Sequence, residues 1–523
     1  MRMDDKTVFR LAKPQRKGLL RLVFSRFFLI VLLLAAQVLL SVSFFAWLRG
    51  YVPYLTVVQT IFTLIMVVYL FNSEMDSTGK LSWMLLIAVL PVAGAVLLFF
   101  TQTNAGHRLV KQRVETLIDE TKTLLPQAAD TAELAHDGSG TDDLARYLSR
   151  SGCFPLYNRT AVHYFPSGEA KFEAMLREID RAERFIFLEY FIIEEGYMWG
   201  EILRRLIAKA QQGVAVRVMF DGMCQMKMLP ANYVNLLEAQ GIRARAFSPI
   251  RPLVSSHYNY RDHRKILVID GRVAFTGGVN LADEYINRVE RFGHWKDAAV
   301  MLEGDAVKSF TLMFLQMWNI YEKEPEWKPW IDASAPLPAA PGGWVLPYAD
   351  CPLDGEKVGE TVYMDILNRA TDYVHIMTPY LILDGELETA LLYAAKRGVD
   401  VKLILPGVPD KKLAWALAKA HYRTLTAAGV QIYEYTPGFV HAKVVTSDGV
   451  KAVVGTINFD YRSLYHHFEC AAYLYRVPCI DEIERDFQQT LARCRQVTQE
   501  SIQNEKLFYR LTGTLLRFIA PLM

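Results

Sequence analysis

The sequence predicts an α/β protein built from two tandem copies of one α/β unit, related by pseudo-two-fold symmetry and preceded by N-terminal transmembrane helices. Three observations carry this prediction. Uncharged apolar runs occur before residue 101. Strand and helix patterns then recur in the same order. One charged motif occurs twice, 178 residues apart. The length of 523 residues also predicts more than one domain.

The three apolar runs lie at residues 27–47, 54–71 and 81–100. At about 1.5 Å of rise per residue, each approaches or matches the roughly 30 Å hydrocarbon core of a bilayer. The first run is longer than a signal-peptide core and follows a long basic stretch, which favours an uncleaved anchor. These runs predict a multi-pass membrane protein.

The side of the membrane that holds the rest of the chain stays open. Eight Lys and Arg residues among the first 26 favour a cytoplasmic N-terminus. Three spans would then place the body outside, whereas Arg108, Lys111 and Arg113 favour the inside. Either the third run, with Pro91 at its middle, is re-entrant or interfacial, or a large domain crosses regardless of its flanking charge.

Composition argues against two classes of protein. The net charge of +2 is well below the excess of positive charge that proteins coating nucleic acid carry. No nucleic-acid partner is therefore predicted. The six cysteines form no C-x-x-C pair and have no histidine at ligand spacing. We therefore expect small buried thiols rather than a disulfide framework or a zinc site. No metal and no cofactor is predicted.

After about residue 144 the pattern changes to alternating strands and helices. The strand-like "FIFLEYF", the helical "MWGEILRRLIAKAQQG" and the strand-like "VAVRVMFDG" are matched by "VHIMTPYLI", "GELETALLYAAKRG" and "VDVKLILPG". The Pro/Ala/Gly-rich "ASAPLPAAPGGW" between the copies indicates a linker. The predicted segments are a basic N-terminal segment 1–26, a membrane region 27–100, a linker 101–143, a first repeat 144–332, a linker 333–344, a second repeat 345–500 and an amphipathic tail 501–523. The tail would lie on anionic headgroups or dock onto the body.

The duplicated motif is "HRKILVID", from His263 to Asp270, and "HAKVVTSD", from His441 to Asp448. Both copies have the pattern His-x-Lys-x-x-x-x-Asp. Residues two apart in a strand share a face, so each histidine should point with the lysine that follows it, Lys265 or Lys443. For the two aspartates, two interpretations stay open. They are turn formers before a glycine, or carboxylates that orient a histidine.

The repeat extends beyond the motif into "TGGVN" and "VGTIN". A glycine follows each histidine by 14 residues and an asparagine, Asn280 or Asn458, by 17. Imidazole serves as nucleophile or proton shuttle, lysine neutralises phosphate oxygens, and the amide adds neutral donors. In-line displacement at phosphorus needs attack and leaving-group protonation on opposite faces. Two copies facing each other across one phosphate meet this need, so the two motifs are predicted to be halves of one active site.

These residues identify the chain as similar to the phospholipase D superfamily over about residues 145–523. More narrowly, "EYFIIEEG", "GGVNLADEY", "WKDAAVMLEG", "VGTINFDYRS", "HFECAAYLY" and the closing "RLTGTLLRFIAPLM" resemble the bacterial cardiolipin synthase family. The resemblance implies tandem phospholipase D-like repeats and a place in the bacterial cell (inner) membrane. The apolar run at 27–47 is additional to the pair usual in that family.

The resemblance further implies a reaction. A histidine attacks one phosphatidylglycerol, releases glycerol and forms a phosphatidyl-histidine, which the hydroxyl of a second phosphatidylglycerol converts to cardiolipin. The nucleophile is usually the first-motif histidine, here His263, with His441 as acid and then base, although the near-symmetric site leaves the reverse order open. The implied substrate-binding and supporting residues are Lys265, Lys443, Asn280, Asn458, Gly278 and Thr456 around the phosphate, with Asp270, Asp448, Asp297 and Glu469 in support.

Phosphatidylglycerol and anionic membrane lipid are thus the implied partners, and the resemblance leaves room for a homo-oligomer. Three rival functions differ from this one in acceptor, in substrate or in lacking activity. A phospholipase D or a phosphatidylserine synthase would differ only in the alcohol that resolves the intermediate. A membrane-tethered nuclease conflicts with the near-neutral charge. A catalytically dead scaffold conflicts with two intact motifs.

Overall fold

Runs of β-branched and aromatic residues form the strands of this protein. The computed structural model describes residues 39, 52–73, 75–102, 105–125, 133–135, 137–152, 154–249, 260–332, 342–518 and 520–522. The strands are β1 Thr160–Phe165, β2 Phe185–Tyr190, β3 Ala215–Asp221, β4 Arg243–Phe247, β5 Arg261–Asp262, β6 Lys265–Ile269, β7 Val273–Gly277, β8 His294–Lys296, β9 Ala299–Gly304, β10 Trp344–Asp350, β11 Tyr373–Met377, β12 Leu381–Ile382, β13 Asp400–Pro406, β14 Gln431–Tyr435, β15 Gly438–Val440, β16 Val444–Ser447, β17 Lys451–Gly455, β18 Phe459–Asp460, β19 His467–Tyr475 and β20 Cys494–Gln496.

Helices connect these strands and cover the sheets. They are α1 Val52–Phe71, α2 Ser77–Val89, α3 Pro91–Gln102, α4 Ala105–Thr121, α5 Thr141–Ser151, α6 Gly168–Asp180, α7 Tyr197–Gln211, α8 Met223–Lys227, α9 Tyr233–Glu238, α10 Val307–Trp318, α11 Lys328–Ile331, α12 Val358–Arg369, α13 Gly385–Lys396, α14 Lys412–Ala427, α15 Tyr461–Tyr465, α16 Ile480–Leu491, α17 Gln499–Gln503 and α18 Leu507–Arg517. Short 3₁₀ turns occupy Asp283–Ile286, Asn319–Tyr321 and Ala520–Leu522.

The two sheets have the same topology. The first has the strand order β1-β9-β7-β6-β2-β3-β4, and the second has β10-β19-β17-β16-β11-β13-β14, followed by β20 at its edge. Each sheet is mixed, since β2, β3 and β4 run parallel while β6, β7 and β9 are antiparallel neighbours. The predicted α/β fold with an internal duplication is therefore confirmed.

The helix α10 packs against the first sheet and closes the first repeat. Ten of its twelve residues are buried, as expected for a helix that is apolar on nearly every face. Its Phe314 ring stacks on Phe187 of β2 at 4.7 Å, and it also contacts β10 of the second repeat. One continuous apolar core consequently includes residues of both repeats, which holds their facing surfaces in a fixed relation.

The described residues fall into two compact units, one within Val110–Pro249 and Asn259–Gly513, the other within Arg16–Leu109 and Thr514–Met523. In the second unit, α1, α2 and α3 pack around Leu70, Trp83, Ile87 and Leu98. Among the residues described, no helix has both the length and the apolar character needed to cross a bilayer.

The predicted transmembrane helices are therefore not confirmed. The third apolar run is divided, because α2 ends at Val89 and α3 begins at Pro91. Proline lacks the amide hydrogen that a continuous helix needs at that point. The two resulting helices of 13 and 12 residues are each about 20 Å long or less. The run at 27–47 lies outside the described residues except for Leu39.

The C-terminal tail packs on folded protein along part of its length. Tyr509 of α18 makes an edge contact with Trp415 of α14 at 5.2 Å. A Cβ atom at Gly513 would lie 2.4 Å from the carbonyl oxygen of Ala416, so only glycine permits this approach. The tail was predicted either to lie on lipid headgroups or to dock onto the body. Up to Gly513 it docks onto the body.

Candidate active site

Each motif histidine is positioned by strand pairing between the two repeats. The short strand β5, immediately before His263, pairs in parallel with the start of β19 in the second repeat. In the same way β15, immediately before His441, pairs in parallel with β8 in the first repeat. The backbone N–H of His263 donates to Phe468 O at 2.9 Å, and that of His441 donates to Lys296 O at 2.7 Å. This reciprocal exchange gives the two histidines equivalent backbone positions.

The carboxylate that contacts each histidine also comes from the opposite repeat. His263 Nδ1 lies 2.8 and 2.9 Å from the two carboxylate oxygens of Glu469, and His441 Nδ1 lies 2.8 Å from Asp297 Oδ2. Each histidine is thus oriented by an acid of the other repeat. Because a carboxylate only accepts hydrogen bonds, both Nδ1 atoms carry hydrogen and both Nε2 atoms keep a lone pair.

The two lysines occupy matching positions beside the histidines. Lys265 Nζ donates to His263 O at 2.5 Å, and Lys443 Nζ donates to His441 O. Both side chains are buried, and burial lowers the pKa of Lys265 to about 8 and that of Lys443 to about 7. A phosphate anion bound between them would hold both protonated.

Burial and the lysines also keep the histidines neutral. Burial, together with Lys265 and Lys443, lowers the pKa of His263 well below its ordinary value. Burial and Lys443 lower the pKa of His441 to about 4, against the opposing effect of Asp297. Although burial opposes it, His441 and Lys443 hold the pKa of Asp297 below its ordinary value. The unliganded site therefore contains two neutral imidazoles, either of which can attack an electrophile through Nε2.

The motif aspartates lie elsewhere, and the expectation that they take part in catalysis is corrected. Asp270 accepts hydrogen bonds from the backbone N–H groups of residues 183, 184 and 185 at 2.8 Å. Asp448 accepts from those of residues 371, 372 and 373 at 2.9–3.0 Å. Both adopt positive φ, 56° and 55°, before a glycine. Asp270 lies seven positions after His263, roughly 20 Å along extended chain, so the turn-forming interpretation is the one the structure supports.

The two asparagines are held by neighbouring polar groups. Asn280 donates from Nδ2 to Tyr285 Oη at 2.8 Å and accepts from Ile192 N at 3.1 Å. Asn458 Nδ2 lies 3.3 Å from Asp460 Oδ2, and its Oδ1 has no hydrogen-bond partner within the described part of the chain. Asn280 therefore lies one contact from His441, since the Tyr285 ring is 5.3 Å from the His441 ring, and Asn458 Oδ1 can still accept a hydrogen bond.

Gly278 and Thr456 are equivalent positions with different side chains. A Cβ at Gly278 would come within 2.0 Å of Asp297 Oδ1 and 2.8 Å of His441 O. Thr456 instead donates its hydroxyl to Glu469 Oε2. Gly278 therefore leaves room for one orienting carboxylate, and Thr456 fixes the other.

Sequence reasoning missed the rings that flank the histidines. Trp295 and His467 each stand two residues before an orienting acid. The Trp295 ring lies 5.4 Å from that of His441, and the His467 ring 5.2 Å from that of His263. The repeated pattern of a ring two residues before Asp297 or Glu469 was the only signal available in the sequence.

The chain is similar to known proteins over most of its length. A family model described as "Cardiolipin synthase, PLD-like domain" matches residues 175–318 and 363–491. The chain is 31% identical over 498 residues to a cardiolipin synthase of Alkalihalophilus pseudofirmus, covering 94% of this chain and 98% of that one. It is 55% identical over 458 residues to an uncharacterized protein of Streptococcus mutans, covering 87% of this chain and 99% of that one.

Among solved structures, a phosphatidylserine synthase of Haemophilus influenzae aligns with a TM-score of 0.57 over 73% of this chain and 97% of that one. At 13% identity this likeness shows the fold alone. The family match covers both repeats, and the sequence relationship spans nearly the whole chain. The protein therefore belongs to the cardiolipin synthase family of phospholipase D-like domains.

Proposed function

We propose that this protein is a cardiolipin synthase that transfers a phosphatidyl group from one phosphatidylglycerol to another, giving cardiolipin and glycerol. The observation that carries the proposal is the crossed pair of histidine–carboxylate contacts, His263 with Glu469 and His441 with Asp297, at 2.8 Å each. Two oriented imidazoles with two buried lysines supply a nucleophile, an acid–base group and cations for one phosphodiester.

In the first step His263 Nε2 attacks phosphorus and forms a P–N bond, while the P–O bond to glycerol breaks. His441, protonated in the complex, gives its proton to the departing glycerol oxygen. The negative charge of the bound phosphodiester favours that protonation by raising the pKa of a histidine that is otherwise neutral. Glu469 stabilises the positive charge that develops on His263.

In the second step the primary hydroxyl of another phosphatidylglycerol attacks the phosphatidyl-histidine. His441 takes the hydroxyl proton, the P–N bond breaks and His263 leaves as neutral imidazole. Lys265 and Lys443 stay on the non-bridging oxygens throughout. The near-equivalence of the two halves supports the reverse assignment of the histidines as a second order of events, with the same products.

We further propose that the enzyme works at the bacterial cell membrane, held there by residues 27–100. The support is the apolar surface of α1, where Tyr54, Val58, Val68 and Phe71 are each at least 60% exposed. An apolar face of this extent is unfavourable in water and favours contact with lipid. The substrate, a membrane lipid, lies at the same surface.

The test uses the full chain in vesicles of phosphatidylglycerol alone, with EDTA present. Lipids are identified by mass spectrometry and free glycerol is assayed. Equal amounts of cardiolipin and glycerol are expected, and His263→Ala and His441→Ala should each abolish them. Phosphatidic acid as the product would instead mean that water resolves the intermediate and that the protein is a phospholipase D.

Trapping the intermediate identifies the nucleophile. After a denaturing quench at alkaline pH, where the P–N bond is stable, the phosphatidyl adduct of a single turnover should be found by peptide mass spectrometry on His263 in wild-type protein. A mass increase on His441 alone would establish the reverse order.

A further inference from the structure

His467 is a buried imidazole that the proposed reaction does not use. It stands on β19, is 8% exposed, and lies with its Nδ1 3.4 Å from Glu469 Oε1. Neither of its ring nitrogens makes a hydrogen bond within the residues that the structure describes. A buried ring nitrogen without a partner is unfavourable, so its retention next to the reacting histidine requires an explanation.

The first repeat shows that the position does not demand a histidine. Trp295 takes the equivalent place two residues before Asp297, and its indole N–H lies 3.4 Å from Asp297 Oδ2. An indole packs against the acid and can only donate a hydrogen bond. His467 packs in the same way but adds a lone pair. At this position the two halves of the site therefore differ in the ability of the ring to bind a metal ion.

Three donor groups converge beside His467. One nitrogen of His263, one of His467 and a carboxylate oxygen of Glu469 all lie within 4.8 Å of one another, and all three residues are buried. Two imidazoles and one carboxylate are a donor set that Zn²⁺ prefers. With metal–ligand bonds of about 2.0–2.2 Å, tetrahedral ligands stand roughly 3.4 Å apart, so small side-chain rotations would bring the set together.

We propose that His263, His467 and Glu469 form a binding site for a divalent transition metal ion such as Zn²⁺, and that the bound ion inhibits the enzyme. The metal would replace the hydrogen that His263 Nδ1 now shares with Glu469. The fourth coordination position remains for water or a phosphate oxygen. The ion takes no part in the transfer, but the site shares His263 and Glu469 with the proposed reaction.

The inhibition rests on the proposed function, in which His263 attacks through Nε2. It follows from the change of tautomer that metal binding imposes on His263. A neutral imidazole has one N–H. When Nδ1 binds the metal, its hydrogen leaves, and the neutral ring carries a hydrogen on Nε2 instead. Nε2 then has no lone pair with which to attack phosphorus. Glu469, once a metal ligand, also ceases to stabilise positive charge on His263.

The binding test needs no turnover. Full-length protein in detergent is stripped with EDTA, exchanged into chelator-free buffer and titrated with ZnCl₂ by calorimetry, with bound metal measured after dialysis. We expect one Zn²⁺ per wild-type chain and at least a 20-fold loss of affinity in His467→Asn and in His467→Trp, which copies the first repeat. His375→Asn is the matched control, because His375 is also buried but its Nδ1 contacts Glu484 at 2.8 Å rather than Glu469. It should bind like wild type.

The inhibition test compares each protein with its own metal-free rate of cardiolipin formation. Saturating Zn²⁺ should reduce the wild-type rate at least tenfold, with recovery on adding EDTA, whereas Mg²⁺ at the same concentration should not. His467→Asn and His467→Trp should keep at least half of their own metal-free rates. Equal Zn²⁺ affinity in wild type and both variants, with all melting temperatures alike, would overturn the site. If Zn²⁺ binds specifically but neither wild type nor any variant forms cardiolipin, the metal site is upheld and the proposed function is contradicted.

Discussion

Replacing Glu469 with glutamine tests the crossed pairing of acids and histidines directly. The variant keeps the size of the side chain but removes the negative charge that faces His263 Nδ1 at 2.8 Å in a buried setting. A hydrogen bond to a charged group contributes about 1.5–3 kcal/mol. A carboxylate about 4 Å from a developing imidazolium contributes about 4 kcal/mol at an effective dielectric constant of 20.

These two contributions overlap, so we take about 4 kcal/mol for the loss in the transition state. Each 1.36 kcal/mol is tenfold in rate, which predicts a fall of roughly 10³-fold in cardiolipin formation by Glu469→Gln. Glutamine can also turn its amide nitrogen toward Nδ1 and so favour the tautomer that cannot attack. The assay is the single-turnover rate of glycerol release from phosphatidylglycerol vesicles, with folding followed by circular dichroism.

Asp270→Asn is the matched control, since it removes the charge of an aspartate that belongs to the motif but contacts only backbone N–H groups. We expect its single-turnover rate to stay within threefold of wild type. If Glu469→Gln were no slower than Asp270→Asn, the crossed pairing would have no catalytic role and the argument would fail.

Three further outcomes are expected. Gly278→Ala should reduce the rate of cardiolipin formation at least 100-fold with the fold retained, because the added Cβ displaces the Asp297 carboxylate. Activity and circular dichroism measured together check this, and a rate near that of wild type would contradict it. Asp448→Ala should lower the free energy of unfolding by about 1–3 kcal/mol in denaturant titration, because three backbone N–H groups lose their acceptor. Burial lowers the pKa of Lys171 from its ordinary value of 10.5 to about 7. Between about pH 7 and 10.5 the folded state therefore binds fewer protons than the unfolded state, and the free energy of unfolding rises with pH. Lys171→Met should remove about 2 kcal/mol of the rise between pH 7 and 9, as seen by urea unfolding at both values; an unchanged rise would refute the assignment to Lys171.

The sequence was sufficient for the duplication and for the histidine–lysine pairs. Strand periodicity and the equal spacing of motif, glycine and asparagine predicted two copies, and the two sheets have matching strand orders. Local spacing also placed Lys265 close to His263, although His263 lies just before β6 and the contact runs from Lys265 Nζ to the His263 carbonyl.

The partner of each histidine could not be predicted in this way. Asp297 and Glu469 lie 34 and 28 residues after the histidines of their own repeats, yet each contacts the histidine of the other. That arrangement arises from β5 pairing with β19 and β15 pairing with β8, which no local pattern encodes. For the motif aspartates the sequence left two interpretations open, and their carboxylates accept from backbone N–H groups at the far ends of their strands, as turn formers do.

The reciprocal strand exchange has a consequence for how this enzyme could have diversified. In a symmetric dimer of identical single repeats, every substitution would appear on both sides of the phosphate, and the two histidines would remain interchangeable. Joining the repeats in one chain allows each half to change alone, as Gly278 against Thr456 and Trp295 against His467 illustrate. Under the proposed mechanism, fusion permits one histidine to specialise in attack and the other in proton transfer. A separated repeat would lack the carboxylate that contacts its histidine in the structure.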